Sequence, residues 1–76
     1  MVNLTPNEVI FKSTLDRSNS KVLSKVLIMG VFRWVFDDSD DISFSAEFIG
    51  SLIRKDLVTF GLMTLESYHN AKWIGG

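Results

Sequence analysis

Residues 22–36 read VLSKVLIMGVFRWVF, and the conformation of this stretch decides the architecture of the chain. Only Ser24, Lys25, Gly30 and Arg33 interrupt the apolar run. Wound at 100° per residue, those four positions spread around a cylinder instead of collecting on one side, and a helix apolar all round is a buried one. The run therefore reads as a central helix over about 20–36. Gly30 is its blemish, costing about 1 kcal/mol against Ala. The run is shorter than the ~20 residues that cross a bilayer and contains two cations, which speaks against a membrane span.

Upstream, Thr5-Pro6-Asn7-Glu8 is a helix start. Thr5 is the N-cap, Pro6 fits the first helical position, and Glu8 completes a capping box. The predicted helix runs over about 5–16, with Val9, Ile10, Phe11 and Leu15 as its apolar stripe. Arg17-Ser18-Asn19-Ser20 breaks it, and either serine can cap the next helix.

Downstream, Asp37-Asp38-Ser39-Asp40-Asp41 ends the central run, because carboxylates sit badly at a helix C-terminus and well before an N-terminus. A third helix over about 45–60, capped by Ser43 or Ser45, carries Phe44, Phe48, Leu52 and Phe60 with Ile49, Ile53 and Leu57. Gly61 reads as its C′ residue. Thr64 caps a last helix over about 65–74, with Leu65, Tyr68 and Trp73 or Ile74 inward, and Gly75-Gly76 is a flexible end. The expectation is an all-α fold, a compact four-helix domain covering 1–76.

One rival fold is α+β. Ile42 to Phe48 alternates apolar and polar, and Val31 to Phe36 is β-branched and aromatic, so a hairpin at 31–36/42–48 with the acidic loop between is an alternative. Helices are preferred because the period-four stripe continues past Phe48.

A chain of 76 residues is one domain and buries only roughly 60% of the surface it exposes unfolded. It has no cysteine, so neither disulfides nor thiolate zinc sites support it. The 46% apolar content includes six Phe and two Trp. That builds a core and leaves apolar surface for self-association or docking. The net charge of −1 argues against bulk electrostatic binding of nucleic acid. It is unevenly placed: residues 1–36 hold five basic and two acidic side chains (+3), and residues 37–76 three basic and seven acidic (−4). Such asymmetry steers a partner or a second copy. MVNLTPNEVIF lacks the basic and apolar regions of a signal peptide, which makes the expected location cytoplasmic, the host cytoplasm if viral.

Chemistry-bearing motifs are sparse. The acidic run offers oxygen ligands but fails EF-hand spacing, with Ile42 in place of Gly and Phe48 in place of Glu. It reads instead as a solvated turn or an acidic docking patch. His69, between Tyr68 and Asn70, has no nominated nucleophile. Residues 46–73 could form a helix–turn–helix with Gly61 in the turn, although LESYHNAKW carries one Lys and no Arg. Leu57 to Ile74, through Gly61, Leu62-Met63, Thr64, Glu66, Tyr68 and Lys72, resembles the short C-terminal helical oligomerisation motif. It lacks that motif's dense charge and closing leucines. The resemblance implies self-association.

The expectation is a non-enzymatic protein, without cofactor, metal or catalytic residues. It binds another protein, or itself, as a small regulator, inhibitor or accessory subunit of the kind phages and mobile elements encode. The alternatives are a DNA-binding regulator and a structural subunit of a virion or complex. The expected interface residues are Phe32, Val35, Phe36, Asp37, Asp38, Asp40, Asp41 and Trp73, with Trp34 in the core.

Overall fold

A computed structural model describes residues 3–75, with the backbone alone at Asp40. The fold is α+β, not the expected all-α four-helix bundle. Its elements are α1 (Pro6–Arg17), β1 (Leu23–Ile28), β2 (Val31–Phe36), β3 (Ser39–Phe44), α2 (Ala46–Arg54), β4 (Val58–Thr59), β5 (Leu62–Met63), β6 (Ser67–His69) and β7 (Lys72–Trp73). One antiparallel sheet has the order β3-β2-β1-β6-β5, and β4 pairs with β7 in a second.

The central run is a hairpin. Val22, Val26, Ile28, Val31 and Val35, with Phe32, Trp34 and Phe36, suit an extended backbone better than a helix. Met29 and Gly30 both have positive φ, 50° and 80°. This is the pattern of a two-residue primed turn, whose twist matches that of the strands it joins. Gly30 is thus the residue that permits the turn.

The expected helices over 45–60 and 65–74 are also corrected. α2 begins where Ser45 caps it, its Oγ accepting from the Phe48 N–H at 3.1 Å. It ends at Arg54, well before Gly61. The Leu57 N–H donates to the Leu52 carbonyl, the Asp56 N–H to that of Ile53, and Asp56 itself has φ 56°. That is a Schellman stop with Asp in glycine's usual place, and Leu52 and Leu57 are both buried in the same core cluster. Beyond it the chain makes short strands. The helix–turn–helix and the helical oligomerisation motif therefore have no second helix to rest on.

The rival hairpin comes nearer, but β3 is 39–44, not 42–48, and residues 46–54 are helical. α1 matches its prediction within a residue, with both capping-box bonds present: the Glu8 N–H to Thr5 Oγ1 (3.3 Å) and the Thr5 N–H to Glu8 Oε1 (2.8 Å).

Directly opposed residues share a sheet face, so the pairs Leu23–Phe36, Trp34–Phe44 and Leu23–Tyr68 place five core side chains on one side. Phe11 of α1 seats on that side, with ring centroids 5.4 Å from Phe36, 5.0 Å from Phe44 and 6.1 Å from Phe48. Trp34 stacks on Tyr68 at 4.1 Å. Gly75 is buried rather than a loose end. A Cβ there would lie 2.9 Å from the Leu57 Cα, and the Leu57 carbonyl accepts from the Ile74 and Gly75 N–H groups. Gly76 lies outside the described residues.

Candidate protein-binding surface

The β1–β2 hairpin outruns its neighbours. β6 pairs with β1 only at Leu23 and Ser24, and the last such bond runs from the Lys25 N–H to the Glu66 carbonyl at 2.9 Å. On the other side, β3 accompanies β2 up to Trp34. Residues 26–32 therefore form a two-stranded ribbon beyond the body, consistent with a molecule 37 Å long and 22 by 21 Å across. At ~3.3 Å per residue the overhang is on the order of 10 Å.

This ribbon is apolar on both faces. The opposed pair Leu27–Phe32 lies on one side, and Ile28–Val31 on the other. All four are exposed, Phe32 to 57%, and Met29 at the tip is 97% exposed. The Lys25 ammonium lies 4.5 Å from the Phe32 ring centroid, a cation–π contact at the ribbon's base. Because β6 is antiparallel to β1, the β5–β6 turn lies at the same end of the sheet, where it adds exposed Leu65.

Two physical features set this end apart from ordinary surface. A two-stranded ribbon alone is marginally stable in water. Met29 also occupies a left-handed backbone conformation in which Asn or Asp would be at ease. Local folding preference therefore argues against methionine here.

Of the expected interface residues, Phe32 belongs to this surface. Val35 and Phe36 do not: both are buried, Phe36 within the core cluster and Val35 on the other face of β2. Trp73 is half-buried, its ring 6.4 Å from that of Phe11 and its Nε1–H donating to the Gly75 carbonyl at 2.7 Å. Both contacts tie it to the body. Trp34 is in the core, as its place in the apolar run implied.

The acidic run forms the β2–β3 turn at the opposite end of β2. Asp37, Asp38 and Asp41 are exposed, and the Asp40 side chain lies outside the described residues. Asp38 is a structural clasp. Its carboxylate accepts from the Ser18 hydroxyl (2.8 Å), the Asn19 N–H (2.7 Å) and the Ser20 N–H (3.2 Å). These bonds, led by that from Ser18, pull its pKa down from 3.8 to about 2. Asp37 accepts from the Ser24 hydroxyl. The run thus spends two of its carboxylates on holding the turn to the α1–β1 loop and to β1.

Glu8, shielded on α1, accepts from Lys55 Nζ at 2.8 Å. That bond, with the Thr5 N–H, holds its carboxyl below the usual range. His69 Nε2 lies 2.8 Å from the Ser67 Oγ, two residues back on β6, and Thr64 Oγ1 lies 3.1 Å from the same hydroxyl. Alternation along a strand places Ser67 and His69 on one face. The Thr64 hydroxyl also accepts from the Glu66 and Ser67 N–H groups, so this network closes the β5–β6 turn.

A groove beside the ribbon's base is lined by Ile10, Arg33, Ile42, Phe44 and Phe48 among others. The Arg33 Nε–H donates to the Ser43 Oγ at 2.6 Å, and both residues line the groove. Sequence reasoning passes over both groove and ribbon tip, because it places residues 26–31 inside a buried helix. The signal that could have found them is Met-Gly between two β-branched runs.

No family model, no curated protein and no solved structure matches this chain.

Proposed function

We propose that this protein is a non-enzymatic binding module, a small regulator, inhibitor or accessory subunit that works by occupying a surface of another protein chain. One observation carries the reading: the projecting β1–β2 ribbon is apolar on both faces and ends in an exposed methionine at an unfavourable backbone angle. Apolar side chains held out on a built arm gain free energy only when something covers them, at about 25 cal/mol for each Å² removed from water.

The test compares the full chain with Met29→Lys. The turn residue touches little of the body, so the variant keeps the circular dichroism spectrum of the parent. The parent is expected to hold a stoichiometric protein partner, or a second copy, that Met29→Lys releases. Identical association by both proteins would overturn the reading.

A further inference from the structure

We propose that the groove lined from α1, β2, β3 and the start of α2 is a binding site for a small organic anion, a monocarboxylate carried on one aromatic ring. The site is separate from the apolar ribbon and stands without it.

Arg33 supplies the first reason. It is partly buried, and Ser43 engages one edge of its guanidinium: the Nε–H donates to the Ser43 Oγ at 2.6 Å and Nη2 to the Ser43 carbonyl at 3.1 Å. Among the described residues Nη1 has no partner, and the only ion pair is Lys55–Glu8. Ser43 therefore orients the guanidinium but brings no counter-charge. The Nη1–Nη2 edge keeps free N–H groups, in the fork that takes both oxygens of a carboxylate.

The other polar lining suits an anion too. Asn7, Ser43 and Ser45 supply an amide and two hydroxyls, and no carboxylate among the described residues lines the groove. The two hydroxyl oxygens already accept, from Arg33 and from the Phe48 N–H, which leaves each O–H to donate. Asp41 accepts from the Ser39 hydroxyl at 2.9 Å, Glu47 is exposed, and neither lines the groove.

The remaining lining is apolar. Ile10 and Ile42 accompany Phe44 and Phe48, whose rings stack at 5.6 Å and 19°. A further ring laid against them gains apolar burial and aromatic contact. Volume sets the size: at about 180 Å³ the groove is smaller than the ~300 Å³ at which pockets for drug-sized ligands begin, so it takes one ring and a short acid. A wholly apolar guest would cover the guanidinium and leave its charge unpaired, and a wholly charged one would leave the apolar wall wet. An aryl carboxylate satisfies both.

Phenylacetate is the probe, titrated into the isotope-labelled full chain and followed by backbone amide shifts. Saturable shifts are expected at Ile10, Arg33 and residues 42–48. Phenylacetamide, which keeps the ring without the charge, and acetate, which keeps the charge without the ring, are each expected to bind about tenfold more weakly or worse. Arg33→Gln is expected to weaken phenylacetate at least tenfold. Because that variant also disturbs the bonds to Ser43, Ile10→Glu is the second: it sets a carboxylate at the groove from an exposed helix position, and is expected to abolish binding while keeping the circular dichroism spectrum of the parent. Met29→Lys is expected to bind phenylacetate as the parent does, so failure here and failure of the binding-module reading are told apart.

Equal binding of phenylacetamide would make the site an apolar cleft only, and equal binding of acetate a surface cation only; either overturns the proposal. So do shifts that never saturate or that centre outside the groove, and undiminished binding by either groove variant. A peptide ending in a free C-terminal phenylalanine that binds at least tenfold more tightly than phenylacetate overturns the small-molecule ligand in favour of a chain end.

Discussion

Asp38 shows how much one carboxylate organises. It accepts from a hydroxyl and two backbone N–H groups of the α1–β1 loop, groups that are 18 to 20 residues away in sequence. A folded-state pKa of about 2 against 3.8 means that the unfolded chain binds the proton more readily between those values. The clasp is therefore fully present above pH 3.8 and is lost as pH falls toward about 2. Glu8, also held low, acts in the same direction. Denaturant midpoints measured across this window are expected to fall for the parent chain. For Asp38→Asn they are expected to start lower and to vary less; an unchanged slope would remove Asp38 from the clasp. At this scale the sequence was partly legible. The Thr5–Glu8 capping box is set by local spacing and is found in place. Asp38's partners come from another loop, so the acidic run read only as solvent-facing charge.

At the scale of the element, the β1–β2 hairpin carries both the main correction and the candidate function. Its apolar run satisfies a buried helix and a strand pair alike, because periodicity says little when nearly every position is apolar. What separates the two is the turn. Gly30 at φ 80° and Met29 at φ 50° make a primed turn that a helix cannot contain. Met29→Asn would supply the Asn-Gly pair such turns prefer. The expected result is an unchanged or higher stability, by about 0.5 kcal/mol on the scale of turn-residue effects, together with lost association. Unfolding and light scattering on the same sample check it. Reduced stability in Met29→Asn would mean that the methionine supports the fold itself. Asp56 teaches the same lesson at the end of α2, where the stop sits on an aspartate that tolerates the left-handed region and the apolar stripe runs on past it.

Across the whole molecule, one aromatic cluster joins the layers. Phe11 is fully buried against residues of β2, β3, α2 and β7, so it links the first helix to four of the eight later elements. Phe11→Ala is expected to cost about 3–5 kcal/mol, most of the margin of so small a domain. Chemical denaturation would read it directly; a loss below about 1 kcal/mol, the size of an ordinary surface change, would show that Phe11 is not the keystone. The sequence by itself determined the local and compositional facts: the first helix with its cap, a chain held without disulfides, apolar residues in excess of what a small core hides, and an uneven charge. Tertiary structure alone decided that the central run is a hairpin, that residues 57–74 pair as short strands, and which apolar residues stay outside. The physical reason is the range of the interactions. A capping box is complete within four residues. A strand exists only through the partner it pairs with, and burial depends on which neighbours reach it. Here β6 and β3 stop short of the ribbon, and Leu27 to Phe32 are left exposed.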